Sequence, residues 1–313
     1  MIPQEVQEIL ENQKYKIIGE NGAVKLCPWL KEGMQDNKGC YKQRFYGIKS
    51  HRCLQMTPSV SHCTQKCLFC WRAYEAWHKN KIDTYSSPEE LLDQAIEAQK
   101  QLLTGFGGSL DKYEEKLWEE SKKPKHVAIS LSGEPTLYPE ISGLIKEVHD
   151  RDMTSFLVTN GTQPNKLKNL EQNPTQLYIS LDASNKETYQ KLCRPQIDDA
   201  WENLQESLKY MSNLDTRTVL RITLVEDVNS ELNKEYLDLI EKANPDFIEV
   251  KAYMHIGYSR KRLERQNMPS NRKIQNFSQK ISNKTNYKLH DNVKKSRVSL
   301  LTKKDPEIKG LYQ

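Results

Sequence analysis

From His126 to Tyr253 the chain repeats one pattern: a short β-branched or aromatic run, then a helical stretch. The runs are HVAISLSG (126–133), TSFLVTNG (154–161), QLYISLD (176–182), TVLRITLV (218–225) and DFIEVKAY (246–253). Between them lie YPEISGLIKEVHDRD, WENLQESLKYMSNL and SELNKEYLDLIEKA, whose apolar residues recur at helical spacing. Strand, helix and strand in succession read as a parallel βαβ unit, because parallel strands need a crossover. LQMTPSV, further upstream, reads as one more strand, which makes about six repeats. That number suits an open α/β barrel or a doubly wound sheet, and in either one ligand sites collect where strands end and loops begin. SPEELLDQAIEAQKQLLTG (87–105) predicts a helix with Ser87 as N-cap and Pro88 at the first helical position, and LDKYEEKLWEESKK predicts a shorter one.

Composition narrows the class further. With 313 residues, 28% charged, 36% hydrophobic and only 13 each of Gly and Pro, the chain can bury a sizeable core and is not of disordered type. No apolar run approaches the roughly 20 residues that a membrane span needs. MIPQEVQEIL lacks a basic-then-apolar export signal, so the expected location is cytoplasmic, with no membrane contact. Seven cysteines in such a compartment are better read as metal ligands or redox groups than as disulfides.

Three of the seven, Cys63, Cys67 and Cys70, fall within CTQKCLFC, a loop directly after a predicted strand. Their spacing can bring three thiolates to one metal centre. A tetrahedral zinc site would take its fourth ligand from a neighbour such as His62 or His78. A [4Fe–4S] cube would instead leave one iron open. The spacing C-x3-C-x-Phe-C resembles the signature of the radical S-adenosylmethionine (SAM) superfamily, in which the open iron is chelated by SAM. SLSGEPTLYP resembles that superfamily's Gly-Gly-Glu-Pro element, with Gly133 and Glu134 toward the SAM amino group and Ser132 in place of the first glycine. Asn160, after the third of these strands, and Ser180 and Asp182, at the end of the fourth, resemble the groups that bind the SAM ribose and carboxylate.

A second set stands upstream: Cys27, Cys40 and Cys53, spaced C-x12-C-x12-C. CPW and KGC read as loops, which are poor places for packing cysteines, and three in one segment suggest a second, likewise incompletely ligated cluster. Together with CTQKCLFCWR, SLSGEPTLYP and KAYMHIGYSRKRL, this set closely resembles the archaeal-type tRNA 4-demethylwyosine synthase family over nearly the whole chain. The resemblance implies a partial (β/α)6 TIM-like barrel of the radical SAM type, an N-terminal cysteine-bearing segment (1–52), a barrel (53–255) and a basic C-terminal extension (256–313). It implies two [4Fe–4S] clusters, SAM, and a lyase-type condensation of N1-methylguanosine at position 37 of tRNA-Phe with two carbons of pyruvate. By the same resemblance Cys63, Cys67 and Cys70 serve SAM cleavage, Cys27, Cys40 and Cys53 serve pyruvate, and Lys42 forms a Schiff base with it. Read without the resemblance, Lys42 is one surface lysine among many.

The charge runs bear on RNA. GYSRKRLERQNMPSNRK holds Arg260, Lys261, Arg262 and Arg265 against the single acid Glu264. With Tyr258, these are the expected tRNA contacts, cations for phosphates and an aromatic face for an unpaired base. Trp71, Tyr74 and Trp77 either stack on a base or shield the cluster. KKSRVSLLTKK reads as a second basic run, and Cys193 as structural, with Arg194 a possible anion contact. The 26 residues ahead of Cys27 are too few for a flavodoxin-like module. The expectation is therefore an external electron donor, a ferredoxin or flavodoxin; the chain itself is expected to be a monomer. The rivals are another radical SAM enzyme, which leaves Cys27, Cys40 and Cys53 unexplained, and a zinc-containing RNA-binding module, which leaves Gly133-Glu134-Pro135 unexplained.

Overall fold

The computed structural model describes residues 2–36, 39–109 and 112–306. Its strands are β1 (Lys16–Ile18), β2 (Gly22–Val24), β3 (Cys53–Thr57), β4 (His126–Ile129), β5 (Thr154–Thr159), β6 (Gln176–Ser180), β7 (Arg217–Leu224), β8 (Phe247–Ala252), β9 (Lys288–Val293) and β10 (Val298–Thr302). They form one sheet in the order β1-β2-β3-β4-β5-β6-β7-β8-β10-β9. From β3 to β8 every pairing is parallel and sequential, which is the partial α/β barrel of the radical SAM type. At the two ends the pairings turn antiparallel, β1–β2–β3 on one side and β8–β10–β9 on the other.

The helices are α1 (Gln4–Asn12), α2 (Pro28–Asp36), α3 (Tyr41–Tyr46), α4 (Pro88–Thr104), α5 (Glu115–Ser121), α6 (Ile141–Asp150), α7 (Pro164–Lys168), α8 (Lys186–Cys193), α9 (Ala200–Met211), α10 (Lys234–Ala243) and α11 (Asn271–Lys284). Their starts are set by side chains that satisfy free backbone N–H groups. Ser87 accepts from Glu90 N at α4, Asn185 from Thr188 N at α8, and Asn233 from Tyr236 N at α10.

Strand parity divides the residues between two cores. One face of β4–β8 supplies Val127, Ile129, Leu157, Leu177, Ile179, Leu220, Ile222, Leu224, Ile248 and Val250 to the main core, which the surrounding helices cover. The other face points into the barrel, where Phe156, Tyr178, Val219 and Phe247 pack against Tyr41, Phe45 and Tyr46 of α3. A six-residue helix thus closes the barrel floor from within. It ends at Gly47, whose φ of +75° a side chain would disfavour.

Three sequence expectations change here. CPW is not a loop: Pro28 and Trp29 open α2, Cys40 immediately precedes α3, and Cys53 is the first residue of β3. The preceding Asn37 and Lys38 lie outside the described residues. KKSRVSLLTKK is more than a basic run, since all five residues of Val298–Thr302 are buried as β10 between β8 and β9. Its lysines flank an apolar strand, and the basic extension therefore completes the sheet. The shorter predicted helix starts later, at Glu115, with Leu110 and Asp111 outside the described residues. Among the described residues, no helix is long and apolar enough to cross a membrane.

Candidate functional site

A cavity of about 1110 Å³ opens at the C-terminal ends of the parallel strands, and all six clustered cysteines line it. Cys27, Cys40 and Cys53 lie toward the helix that fills the floor, because Cys40 is the residue before α3 and Cys53 begins β3. Ser50 Oγ fixes Cys40 by accepting from its backbone N (2.8 Å) and donating to its Sγ (3.2 Å).

The other three cysteines sit on a loop held to the barrel by backbone hydrogen bonds. Cys63 N donates to Lys79 O (2.8 Å), Leu68 N to Leu192 O (2.9 Å) and Gln196 N to Thr64 O (2.8 Å). Tyr258 N donates to Trp71 O (3.1 Å), which joins the loop to the segment after β8. Burial pushes the thiols of Cys53 and Cys63 up to about 12 and that of Cys27 to about 11. Cys67 is raised by a hydrogen bond with Cys193 as well as by burial. Cys193, expected to stand alone, therefore has its thiol against that of Cys67 at the end of α8.

Among the described residues, no three His, Cys, Asp or Glu side chains converge where a single metal ion could sit. His62 and His78, the zinc alternatives, do not line the cavity. The His62 ring packs edge-on against Trp77 at 5.0 Å. A tetrahedral ion needs its ligands on one centre, whereas a cube offers separate corners to three thiolates.

Gly133 is required by its own backbone neighbours. Its φ is +76°, and an added Cβ would lie 1.8 Å from Ser59 O and 2.6 Å from His62 O. The glycine lets the end of β4 touch the segment leading to Cys63, and Glu134 N donates to His62 O (2.8 Å) across that contact. The Glu134 carboxylate oxygens are already engaged within the protein. They accept from Thr136 N (3.1 Å), Thr136 Oγ1 (2.6 Å), Thr159 Oγ1 (2.7 Å) and Asn160 N (2.7 Å). This carboxylate braces Asn160. Asn160 Nδ2 in turn donates to Thr64 Oγ1 (2.9 Å). Ser180 lines the cavity from the end of β6, and Asp182 accepts from Thr223 N (2.7 Å) while burial raises its carboxyl to about 6.

Lys42, on α3, is only 9% exposed, which removes the reading of a surface lysine. Its Nζ lies 4.9 and 4.8 Å over the rings of Phe156 and Tyr178, and no carboxylate pairs with it among the described residues. Burial, with Arg221 nearby, lowers its proton affinity. A network that sequence reasoning missed lies beside it. Glu249 is fully buried and accepts from Arg221 Nη2 (2.9 Å), Arg221 Nε (3.2 Å) and Tyr46 Oη (2.8 Å), while Arg221 Nη2 also donates to Tyr41 Oη (2.9 Å). Lys251, two residues after Glu249 on the same strand face, lines the cavity too. The available signal was a charge inside an apolar strand: Arg221 in TVLRITLV, and Glu249 with Lys251 in DFIEVKAY.

Of the expected tRNA contacts, Tyr258 and Lys261 line the cavity mouth, with Lys261 Nζ 4.7 Å over the Tyr258 ring. Arg260 and Arg265 are exposed. Arg262 is a correction. Its side chain is 7% exposed, pairs with Glu75 (2.5 Å), stacks 3.8 Å over Tyr74, and donates to the backbone oxygens of Cys70 and Arg72. It clamps the cysteine loop and is not free for a phosphate. Tyr74 and Trp77 are likewise packed within the protein, and Trp71 alone of the three lines the cavity.

Comparison with known proteins agrees with this geometry. Residues 57–240 match the family model "Radical SAM superfamily" and residues 242–303 the model "Wyosine base formation". The chain is 44% identical to the S-adenosyl-L-methionine-dependent tRNA 4-demethylwyosine synthase of Pyrococcus abyssi, across 99% of this chain and 92% of that one. It is 41% identical to the protein of that name from Methanocaldococcus jannaschii, across 98% and 99%. A solved structure of TYW1 with a lysine-pyruvate adduct bound superposes with a TM-score of 0.89 at 38% identity, across 98% of this chain and all of the other.

Proposed function

This chain belongs to the tRNA 4-demethylwyosine synthase family of the radical SAM superfamily, and from that premise we infer that both halves of the reaction take place in the one cavity. It is a SAM-dependent enzyme of wyosine base formation in tRNA, and it uses a [4Fe–4S] cluster. The finer roles are as follows. Cys63, Cys67 and Cys70 hold that cluster, which supplies the electron for reductive cleavage of SAM when bound. Gly133 and Glu134 hold SAM through their backbone, and Asn160, Ser180 and Asp182 line its polar side. Cys27, Cys40 and Cys53 hold a second [4Fe–4S] cluster where the carbon donor, pyruvate, is gathered.

Lys42 is the amine that condenses with the pyruvate carbonyl: the C=O is replaced by C=N and water leaves. A buried lysine without a carboxylate partner has the depressed proton affinity this step needs, because only the free amine is nucleophilic. The TYW1 structure with its lysine-pyruvate adduct supports placing such an amine in this fold. The tRNA-Phe substrate presents N1-methylguanosine at position 37 at the mouth. Tyr258 stacks there, and Arg260, Lys261 and Arg265 meet phosphates. Overall the reaction is of the carbon–carbon lyase class, since the C1–C2 bond of pyruvate breaks, its carboxyl carbon leaving while the other two carbons are retained. In the same reading a ferredoxin or flavodoxin donates the electron, and the protein acts as a cytoplasmic monomer. The N-terminal segment (1–52), barrel (53–255) and basic extension (256–313) share these tasks as cluster site, SAM site and tRNA contact.

The observation that carries this reading is that both cysteine triads and Lys42 line one cavity. The test is incubation with N1-methylguanosine-containing tRNA, SAM, a reductant and 13C-labelled pyruvate, followed by nucleoside mass analysis. Wild type should incorporate label into a tricyclic base. Lys42→Ala should still cleave SAM yet yield no tricyclic base and no borohydride-trapped adduct, and full product from that variant would refute the role of Lys42.

A further inference from the structure

Arg72, the second residue after Cys70, is 6% exposed. Buried arginines are almost always paired with a carboxylate, because an uncompensated buried charge is costly. Among the described residues no carboxylate pairs with Arg72, and its Nη1 is buried without any hydrogen-bond partner. Its side chain lines the cavity together with all three cysteines of the loop. Burial works against its charge, and the groups that oppose that effect are the sulfurs of Cys63, Cys70 and Cys67. Those sulfurs balance a guanidinium when they are thiolates. Metal ligation is what makes a buried cysteine a thiolate. The orphaned Nη1 therefore gains its partner only when the loop is ligated.

We propose that Arg72 is the built-in counter-cation of the Cys63–Cys67–Cys70 cluster, donating hydrogen bonds to its sulfurs and holding its reduction potential up. The inference rests on the reading that these three cysteines hold a [4Fe–4S] cluster. Reduction adds negative charge, so a fixed cation and N–H···S bonds favour the reduced state, and their loss drives the potential down. Arg72 thus acts as a positioning and tuning residue through the cluster. Lysine at this position would keep the charge and lose the planar fork of donors.

The experiment uses anaerobically reconstituted full-length protein in a Cys27→Ala background, which isolates the cluster of interest. Iron and sulfide content is measured first: a Cys27→Ala protein binding neither at the remaining triad sinks the underlying cluster reading, independently of Arg72. The midpoint potential of the [4Fe–4S] couple is then followed by EPR for Arg72, Arg72→Lys and Arg72→Gln. Arg72→Gln should be shifted to more negative potential and Arg72→Lys should fall between the two. Equal potentials at equal iron content overturn the proposal. If Arg72→Gln fails to retain iron, retention by Arg72→Lys supports the charge argument and loss from both overturns it. A second measurement needs no cluster: the apo form of Arg72→Met should be at least as thermostable as apo wild type, because the unpaired charge is gone, whereas a lower melting temperature refutes it.

Discussion

Glu249→Gln tests the charge network under the cavity. Glu249 is fully buried and receives two N–H bonds from Arg221 and one O–H bond from Tyr46. The Arg221 side chain is 15% exposed, so water cannot readily take over the lost charge. Removing one partner of a buried pair costs about 3–5 kcal/mol, and the Tyr46 bond adds little because the three groups act as a network. At roughly 2–4 °C per kcal/mol, the melting temperature should fall by about 10 °C. Arg221→Met should recover much of that loss when combined with Glu249→Gln, with a coupling of about 2 kcal/mol in a double-mutant cycle. A chemical readout accompanies it. Burial and Arg221 lower the proton affinity of Lys42, and Glu249 opposes them. Without that carboxylate Lys42 loses its proton at lower pH, so borohydride trapping of the pyruvate adduct should begin at lower pH than in wild type. The reasoning fails if Glu249→Gln stays within 1 kcal/mol of wild type and the cost of Arg221→Met is unchanged by it.

Four further outcomes are expected. Gly133→Ala combines a left-handed φ with a Cβ 1.8 Å from Ser59 O, so denaturant unfolding should show a loss of about 3 kcal/mol or more, with lower iron content at the cysteine loop. Arg262→Ala removes charge-assisted bonds to Glu75 and to two loop carbonyls and should cost about 2–3 kcal/mol. Arg260→Ala should leave stability unchanged, reducing the salt dependence of tRNA affinity by about one unit of slope; similar stability losses in both variants would contradict the assignment. Lys251 is pushed down to about 8 by burial and Arg221, against an ordinary 10.5, so between those pH values the unfolded chain binds more protons. Lys251 therefore contributes a rise with pH across that window, against the opposite slope of the buried thiols. In pH-dependent unfolding of the cluster-free protein, the stability of wild type relative to Lys251→Met should increase from about pH 8 to 10.5.

The strand–helix rhythm was legible because it is local. Periodicity reports which face of an element is buried, and five of the apolar runs became β4 to β8 nearly end to end. Hydrophobic parity also carried a message that went unread: Arg221, Glu249 and Lys251 occupy inward positions where an ordinary barrel core would be apolar. The β1–β2 and β9–β10 pairs were harder to see, since short strands flanked by charges look like loops. The six clustered cysteines stood out by type and spacing, without any sign of which faced which.

What sequence by itself determined was the class of chemistry: three thiols at short spacing after a strand, three more upstream, and a repeat that builds parallel βα units. Tertiary structure alone decided that both triads and Lys42 share one cavity, because α3 enters the barrel and carries Lys42 inward. It also separated Arg262 from Arg260, two residues apart in one basic run, by burying the first against Glu75 and Tyr74. The physical reason is the same in each case. A residue's type and its neighbours in the chain fix what it can do locally, whereas desolvation and the choice of partner depend on groups that folding brings from far along the sequence.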